Sequence, residues 1–495
     1  MSVCTTASAP SRRSFSQDSM ELATRTPLPQ STSTVHMTYE DDLLRMSRST
    51  SRLSVMPNTS QLPPMDRGFG AWSFLAAAFL VETIVWGFPT AYGTFLSAYL
   101  DDPRFASQRQ ATTLLALVGP VASGIMYCFS PVVNPLVRRY PRYRRYCVWV
   151  GTLLCFTSLF GASYARTVAQ LVALQGVLYA IGGSLIYAIT ICYMSEWFLE
   201  RRGIANGVMF AGSSVGGIIL PLACPRLIAR YGIPATLRIF AVGILVLLVP
   251  VIPFIKGRIP DTHSQVHGPA PRSRKDWYKE PSFQFLLAAN SLQAFGYFVP
   301  LVWLPTFASE LNLSASRSSL TLALLNGASV CGRLAMGALS DHLNPWALAL
   351  GTLLSTSFAA FVLWGVFSHT FAGLVVFGIV YGVFSAGWST LWTGFIRPIA
   401  KDDPNLSTTL FGWLLLTRGL GNILSTPIST ALETHASSNT TASSIAALDL
   451  GFQVAGGRFE RMIVYTGTCF AGAAAVAIVG WGSEIRKRLR ATALE

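Results

Sequence analysis

Two charged residues lie inside otherwise apolar stretches and are the clearest candidates for chemistry. Arg333 ends the run of residues 326–333, and Glu82 lies well inside the first long apolar stretch. An arginine near the centre of a membrane helix costs about 2.5–3.5 kcal/mol to insert, so it is rarely kept without a partner. Its planar guanidinium matches a carboxylate, which predicts that Arg333 binds an organic anion. The alternative is a structural arginine that reaches water at its helix end or holds the turn near Asp341.

Glu82 has no positive neighbour in the sequence and shares one helical face with Trp86 and Gly93. A carboxyl group in an apolar site favours its protonated form, which makes Glu82 a candidate to carry a proton across the membrane. It could instead be a fixed partner of Arg333 or Arg418, or be held by hydrogen bonds. Arg418 itself is interpreted as structural.

Other polar and aromatic side chains in apolar stretches are candidates to contact a small-molecule substrate. Besides Arg333, the predicted substrate-binding residues are Asn326, Thr90, Tyr187 and Trp388. Weaker candidates of the same kind are Tyr179, Tyr381, Trp392, Asn290 and Gln293. Since small and aromatic residues also pack membrane helices together, a packing role is the alternative for each of them.

The elements that would position these residues are long and apolar. Hydrophobic residues make up 51% of the 495 residues and charged ones only 12%, which argues against a soluble fold. At roughly 20 residues per span, the chain has room for about twelve helices. We predict them near residues 72–98, 112–134, 146–164, 168–195, 204–224, 237–256, 283–308, 319–340, 346–367, 371–397, 406–432 and 461–482. The predicted fold is an all-α integral membrane protein with twelve transmembrane helices in two six-helix halves.

Polar segments divide this fold. Residues 1–65 are rich in Ser, Thr, Arg and Pro, which predicts a disordered cytoplasmic tail. The polar, basic segment 257–282 is predicted to be a central cytoplasmic loop. The predicted halves are then residues 66–256 and 283–482, and residues 483–495 form a basic cytoplasmic tail.

The formal net charge of +14 comes largely from basic clusters whose positions agree with the predicted topology. With twelve spans, the basic clusters at 138–145, 256–279 and 486–490 fall on the same side as the N-terminus. The positive-inside rule then predicts that both termini are cytoplasmic. Arg226, Arg230 and Arg238 lie on the opposite side, against the rule. We therefore expect a lipid bilayer and no nucleic acid as partner, with the plasma membrane favoured over the vacuolar membrane.

Other signals are weaker. Asn439 begins a glycosylation sequon, Asn-Thr-Thr, on the predicted outer side. The eight cysteines are scattered, so we expect no disulfide framework and no metal site. No ATP-binding motif, His cluster, nucleophile elbow or paired-carboxylate motif appears in the sequence. We expect no enzymatic activity and no cofactor, and an energy source in ion gradients.

The link between the fourth and fifth spans combines a charged turn with regularly spaced glycines. Glu200-Arg201-Arg202 is followed by glycines at 203, 207, 212 and 216. This spacing predicts a smooth helix face against which another backbone packs closely. We assign structural or gating roles to Asp66, Arg138, Arg139, Arg201, Arg202, Asp341 and Arg418. Salt bridges from Arg138 and Arg139 to Asp341 could break as the halves move, although a topological role for these arginines is the alternative.

A weak internal repeat supports two related halves. Gly176-Val-Leu-Tyr179 recurs as Gly378-Ile-Val-Tyr381 in the corresponding span, and the link at 134–142 corresponds to that at 337–345. Halves built from repeats are typical of alternating-access transporters.

Several stretches together resemble the monocarboxylate transporter family of the major facilitator superfamily, particularly its fungal branch. They are residues 66–72, which begin Asp66-Arg67-Gly68, residues 193–216, residues 326–341 around Arg333, and residues 418–427. The resemblance covers residues 66–482. It implies the twelve-helix fold, a central site near the membrane midplane, and transport by rocking of the two halves.

The chain departs from this family at informative places. The family's lactate carriers have a lysine after a Phe-Pro pair in the first span, where this chain has Thr90, and an aspartate four residues before the eighth-span arginine, where it has Ser329. In the first turn, Arg138 replaces an acid and Pro141 a glycine. These differences argue against proton-coupled lactate transport in particular.

The predicted function is secondary active transport of a small organic acid or related metabolite, with proton coupling as one option. One alternative is export of a neutral or aromatic secondary metabolite. Another is a nutrient sensor that does not transport and signals through its N-terminal tail.

Overall fold

The computed structural model describes residues 62–259, 277–401, 403–433 and 450–492. Within these ranges it contains helices, turns and loops and no β-strand, and the predicted all-α membrane fold is confirmed. Most of the N-terminal tail, most of the central loop, and the sequon at Asn439 lie outside the described residues, as does the side chain of Arg138.

The helices fall into two sets of similar order. The first set is Gly68–Val85, Gly87–Asp101, Pro103–Ala106, Ala111–Cys128, Ser130–Arg139, Arg144–Ala162, Val168–Leu171, Tyr179–Trp197 and Arg202–Leu248. The second set is Pro281–Glu310, Ala315–Ser340, Pro345–Phe358, Phe371–Gly387, Trp392–Ala400, Pro404–Leu432 and Glu460–Thr492. Irregular helical turns at Val172–Leu178, Ala359–Phe367 and Trp388–Leu391 continue their neighbours into longer spans.

Ten helices in the described part of the chain are long and apolar enough to cross a membrane. One of them, Arg202–Leu248, has 47 residues, about 70 Å at 1.5 Å per residue, or more than twice the hydrocarbon thickness. It is interrupted at Gly232, whose φ of 79° suits glycine because it has no Cβ, so it supplies the fifth and sixth spans. Pro404–Leu432 is less apolar but has 29 residues and forms the eleventh. Counted this way, the segments match the twelve predicted spans.

Because consecutive spans run in opposite directions, the bundle has two ends. We call the end that holds Gly68, the turn at residues 198–201 and Asp341 the terminal end. The other, the far end, holds the links at residues 102–110 and 163–167 and the break at Gly232.

The glycines that begin the fifth span pack against two different neighbours. A methyl group added at Gly207 would lie 2.6 Å from the carbonyl oxygen of Arg333 in the eighth span. One added at Gly216 would lie 2.6 Å from the carbonyl oxygen of Thr83 in the first span. The predicted smooth face therefore joins the fifth span to the other half at the terminal end and to its own half further along.

The internal repeat has a structural counterpart. The Tyr179 hydroxyl donates a hydrogen bond to the carbonyl oxygen of Val85, 2.8 Å away, and the Tyr381 hydroxyl donates to that of Tyr297, 2.9 Å away. In both halves, a tyrosine of the fourth helix thus holds the backbone of the first helix. These bonds fix the two helices that carry Glu82 and Tyr297 to the centre of the bundle.

Candidate functional site

A polar cavity lies at the centre of the bundle, where spans from both halves meet. Its lining residues are Glu82, Tyr127, Tyr187, Phe210, Ser213, Arg333, Ser389, Trp392, Leu415 and Arg418. The cavity has a volume of about 10 Å³, which is close to what one water molecule needs. The site is thus nearly closed, and a larger ligand requires the surrounding helices to separate.

Arg333 reaches this cavity from the eighth span and contacts the other half. Its Nη1 donates to the carbonyl oxygen of Phe210 and the hydroxyl of Ser213, both in the fifth span. Its Nη2 lies 3.5 Å from the Tyr297 hydroxyl. The buried Nε has no hydrogen-bond partner among the described residues. The guanidinium is therefore held by neutral groups, and its Nε donor is left without a partner among the described residues.

Arg418 is the second cation of the cavity and is 2% exposed. Its Nη1 donates to the Gln293 side-chain oxygen at 3.3 Å. The guanidinium carbon lies 4.2 Å from the ring centroid of Tyr297 and 5.8 Å from that of Tyr127. A cation over aromatic faces is attracted by their negative quadrupole, an attraction that strengthens when water is excluded. Tyr297 thus contacts both arginines.

Glu82 is the acid of the cavity and is 2% exposed. Its Oε1 has no hydrogen-bond partner among the described residues, and no ion pair within 4.0 Å is found for it there. Arg333 is the charge that acts on it most strongly, from beyond contact distance. The cavity therefore holds two guanidinium groups and one carboxyl group, none of them joined in a close ion pair.

The rings of Tyr127 and Tyr187 line one side of the cavity, and Trp86 packs against both of them. The Trp86 ring centroid lies 4.4 Å from that of Tyr127 and 5.4 Å from that of Tyr187. The two tyrosine centroids are 6.2 Å apart in an edge-to-face arrangement. Tyr187, predicted from the sequence to contact substrate, lines the cavity as part of this cluster. The wall offers flat apolar surface next to charged groups.

Three other residues predicted to bind substrate do not line this cavity. The Thr90 hydroxyl donates to the carbonyl oxygens of Trp86 and Gly87 within its own helix. Asn326 donates to the Gly217 carbonyl oxygen at 3.3 Å, between the halves. The indole of Trp388 donates to Asn290, 2.8 Å away. Their contacts in this conformation are with protein, and a substrate contact remains a prediction for them.

The acidic residues predicted to gate the bundle lie at its terminal end. Asp66 accepts hydrogen bonds from the backbone N–H groups of Leu199, Glu200 and Arg201, at 2.9–3.2 Å. Asp341 accepts bonds from the backbone of the fifth span, where a salt bridge to arginine was predicted. Each carboxylate thus satisfies free N–H groups at or near the start of the fifth span.

The basic residues predicted there have different surroundings. Arg202 bonds the Phe198 and Ser195 carbonyl oxygens and, from Nη1 at 2.7 Å, the Ser407 hydroxyl of the other half. Arg201 and Arg139 have exposed side chains. Of the two, Arg139 stacks on the ring of Tyr140, 5.8 Å away. Arg202 is therefore the arginine that joins the halves at this end.

Several residues in or next to the cavity were not predicted from the sequence. They are Tyr127, Phe210, Ser213, Ser389 and Leu415, together with Tyr297, which does not line the cavity but contacts both of its arginines. All are ordinary residue types in apolar helices, and packing alone brings them together. Phe210 and Ser213 lie one turn apart on either side of Gly212 in the fifth span, and they are the one pair that the sequence could have identified. No cluster of His, Cys, Asp or Glu suited to a metal ion occurs in the described part of the chain.

Twelve spans in two related halves, closed around one polar cavity, define a secondary-transporter fold. The sequence profile described as Major Facilitator Superfamily matches residues 74–426. The chain belongs to this superfamily and is a multi-pass membrane transporter.

Named relatives agree with this assignment. The chain is 27% identical over 428 residues to MFS transporter asaE of Aspergillus flavus, covering 85% of this chain and 90% of that protein. It is 28% identical over 376 residues to the Fujikurins efflux protein of Gibberella fujikuroi, covering 76% and 78%. It is also 28% identical over 293 residues to Monocarboxylate transporter 10 of Mus musculus, covering 57% of each. Fungal efflux proteins and a monocarboxylate transporter are thus both among its relatives.

A solved structure shows the same fold. The human organic anion transporter MFSD10 aligns with a TM-score of 0.61 at 13% identity, covering 82% of this chain and 99% of that one.

Proposed function

We propose that this chain exports an amphipathic organic metabolite that has both an aromatic or other flat apolar part and an acidic group. The proposal combines the organic-acid transport predicted from Arg333 with the export activity named for the Fujikurins efflux protein. The substrate would move by alternating access, with the nearly closed cavity as an intermediate between the two open states.

The observation that best supports this proposal is the excess of positive charge in the cavity. Arg333 and Arg418 contribute two positive charges and Glu82 at most one negative charge, within one buried site. Uncompensated charge is expensive away from water, so an anionic group of the substrate would restore the balance. The rings of Tyr127 and Tyr187, against which Trp86 packs, would cover the apolar part of the same molecule.

Glu82 supplies the proposed coupling to protons. Its carboxyl group lies in the same cavity as Arg333 without touching it. Protonation of Glu82 leaves two uncompensated cations and favours anion binding, whereas ionisation of Glu82 offsets one of them. Because each then favours the binding of the other, the proton and the substrate anion would cross together, and the outward gradient of the metabolite would drive the export.

A neutral aromatic metabolite is the second candidate. The observation that favours it is that Arg333 already donates to Phe210, Ser213 and Tyr297. An arginine held by these three contacts can serve as a structural link between the halves, which leaves the aromatic rings to bind the substrate.

The same proposal includes a membrane topology. We propose that the terminal end faces the cytoplasm, with two six-helix halves at residues 66–256 and 283–482, and that Asn439 lies outside. The exposed arginines Arg139 and Arg145 at the terminal end support this orientation. A glycosidase-sensitive mobility shift that is lost in Asn439→Gln would test it. The plasma membrane is the proposed location for an exporter.

The test uses matched ligands that differ only in charge. The purified protein is heated with phenylacetate or with phenylacetamide, and a ligand at about 100 times its Kd should stabilise the folded state by about 2.7 kcal/mol. We expect stabilisation by the acid and little by the amide. Arg418→Gln and Arg333→Gln should remove the effect, and Arg145→Gln, which changes an exposed arginine outside the cavity, should keep it.

Two results separate the candidates. Equal stabilisation by the acid and the amide in all four proteins would support the neutral substrate. Stabilisation by neither, together with no uptake of a panel of aromatic acids and their neutral amides into inverted vesicles, would overturn both forms of the proposal.

A further inference from the structure

A second cavity, separate from the central one, opens at the far end of the first half. It has a volume of about 200 Å³ and lies among the links after the first, third and fifth spans. Its lining residues are Tyr99, Arg104, Phe105, Ala162, Ser163, Tyr164, Ala165, Arg166, Ile233, Pro234 and Leu237. It is far larger than the central cavity in this conformation.

Three arginines surround this cavity. Arg104 and Arg166 line it, and Arg238 lies at its edge, with Nε donating to the Ser163 hydroxyl at 3.1 Å. One carboxylate, Asp102, pairs with Arg104 at 2.6 Å, and that contact lowers the pKa of Asp102. Three positive groups and one negative group leave a local charge of +2. The cavity therefore attracts anions.

Two of these guanidinium groups still have donors to offer. The side chain of Arg166 has no hydrogen-bond or ion-pair partner among the described residues, and neither do the two terminal nitrogens of Arg238. The Arg238 guanidinium is nevertheless fixed in place, because it stacks on the Tyr164 ring with 4.5 Å between its carbon and the centroid. A stacked guanidinium with free donors is well suited to a phosphate.

The backbone around the cavity is tied together. The Gln108 side-chain amide donates to the carbonyl oxygens of Arg104 and Arg166, at 2.7 and 3.0 Å. Its oxygen accepts from the backbone of Val168 at 3.0 Å. One residue thus holds the two links that carry the lining arginines, so little chain ordering is needed when an anion binds.

The opposite wall is apolar and aromatic. Tyr99 and Phe105 pack edge to face with centroids 5.3 Å apart, and Ile233 and Leu237 follow the break at Gly232. Since these links lie where three spans end, the cavity is at the level of the lipid headgroups. A role in this cavity would also explain why Arg238 lies at the far end, against the positive-inside rule.

We propose that this cavity binds the phosphate group of an anionic molecule, with Arg166 and Arg238 as its main donors and Arg104 as a third. The phosphate belongs either to a phospholipid headgroup of the adjacent leaflet or to a soluble phosphate compound. The site is independent of the transported substrate.

Native mass spectrometry of the purified full chain tests this proposal with phosphatidylinositol, with phosphatidylcholine, and with inorganic phosphate alone. We expect phosphatidylinositol to be retained more than phosphatidylcholine, and retention to fall about tenfold in Arg166→Gln and in Arg238→Gln, as for the loss of one charge-assisted hydrogen bond. Arg230→Gln is the matched control, because Arg230 lies at the same end and stacks on its neighbour Tyr231. Ala165→Phe fills the cavity without changing its charge and should also reduce retention.

The lipid and the soluble anion are distinguished in the same experiment. Retention of phosphatidylinositol that inorganic phosphate does not displace identifies the lipid. Thermal stabilisation by inorganic phosphate alone, lost in Arg166→Gln, identifies a soluble ligand. Equal retention in wild type, Arg166→Gln, Arg238→Gln and Ala165→Phe, without phosphate stabilisation, would overturn the site, as would an equal loss in Arg230→Gln.

Discussion

The two seams that join the halves differ in the groups that cross them. Between the fifth and eighth spans two charged residues cross, in addition to the neutral Asn326. Asp341 accepts bonds from the backbone of Gly203 and Ile204 at 2.8 and 3.0 Å. Further along the same seam, Arg333 donates to Phe210. This seam therefore runs from a carboxylate at the terminal end to an arginine in the central cavity.

Between the second and eleventh spans the crossing groups are neutral. Asn134 donates to the Thr408 carbonyl oxygen at 3.2 Å, and Asn422 donates to the Ser123 hydroxyl at 2.5 Å. The eleventh span is capped by its own Asp403, which accepts from two backbone N–H groups at 2.8 and 3.2 Å. No carboxylate of the first half is needed there.

This difference predicts different roles for the two seams. Breaking the first seam removes a helix cap and releases a cavity arginine, so its energy depends on charge and on what the cavity holds. Breaking the second exchanges neutral hydrogen bonds, each with a net value of about 1 kcal/mol. We expect the first seam to sense ligand and proton and the second to serve as a neutral hinge.

The largest expected effect comes from preventing the first seam from closing. In Gly207→Ala the new methyl group would lie 2.6 Å from the Arg333 carbonyl oxygen, and overpacking of this kind costs about 1–3 kcal/mol. We expect transport to fall about tenfold or more. The matched control in the same seam is Gly327→Ala, whose methyl group would have its nearest neighbour 3.9 Å away. Equal activity of the two variants would contradict close packing of this seam.

The next effect separates a cap that crosses the halves from one that does not. Asp341→Ala and Asp403→Ala each remove a carboxylate from a helix start, at a cost of about 1 kcal/mol. The Asp341 cap joins the two halves, so the energy lost in Asp341→Ala is energy that stabilises the closed conformation. The population open at the terminal end should therefore rise about fivefold. Distances between spin labels at Tyr146 and Leu343, both exposed, would report this change. Asp403→Ala should lower thermal stability without altering the distances, and an identical response of both variants would remove the distinction.

Local patterns made the spans and the two buried charges predictable. Hydropathy marks a span wherever the chain is apolar over its own length, and the cost of inserting Arg333 or Glu82 points to a cavity without knowledge of the fold. The repeat that ends in Tyr179 was likewise visible in the sequence.

Contacts that depend on packing or on backbone groups were not predictable. The sequence suggested an arginine as partner for Asp341, because the free N–H groups of a helix start are not visible as charges in a list of residues. Tyr127 and Ser213 are ordinary residues in the sequence, and they line the cavity because the crossing of their helices brings them there. Asn326 and Trp388 have polar groups that neighbouring helices satisfy, a use that the sequence does not distinguish from substrate binding.

A smaller effect concerns pH. Burial raises the pKa of Asp341 above its ordinary value of 3.8, although the bonds from Ile204 and Gly203 act in the opposite direction. A raised pKa means that the closed conformation binds the proton more tightly, so closure is favoured at low pH and weakens as the pH rises above about 4. The spin-label distances should shift accordingly in wild type but not in Asp341→Asn. Because His342 and Arg397 also act on this carboxylate, the titration is repeated in His342→Gln, and loss of the shift there would assign it to the histidine.

The smallest effect is expected at the neutral seam. Asn134→Ala removes the bond to Thr408, but it also removes the Asn134 side-chain oxygen, which is buried without a hydrogen-bond partner among the described residues. Because an unsatisfied buried polar atom is itself destabilising by about 1–3 kcal/mol, the two changes largely offset each other. We expect the melting temperature and the pH response to stay close to those of wild type. A rise in the open population comparable to that of Asp341→Ala would show that the second seam also holds the closed conformation, and the two seams would then differ in chemistry but not in role.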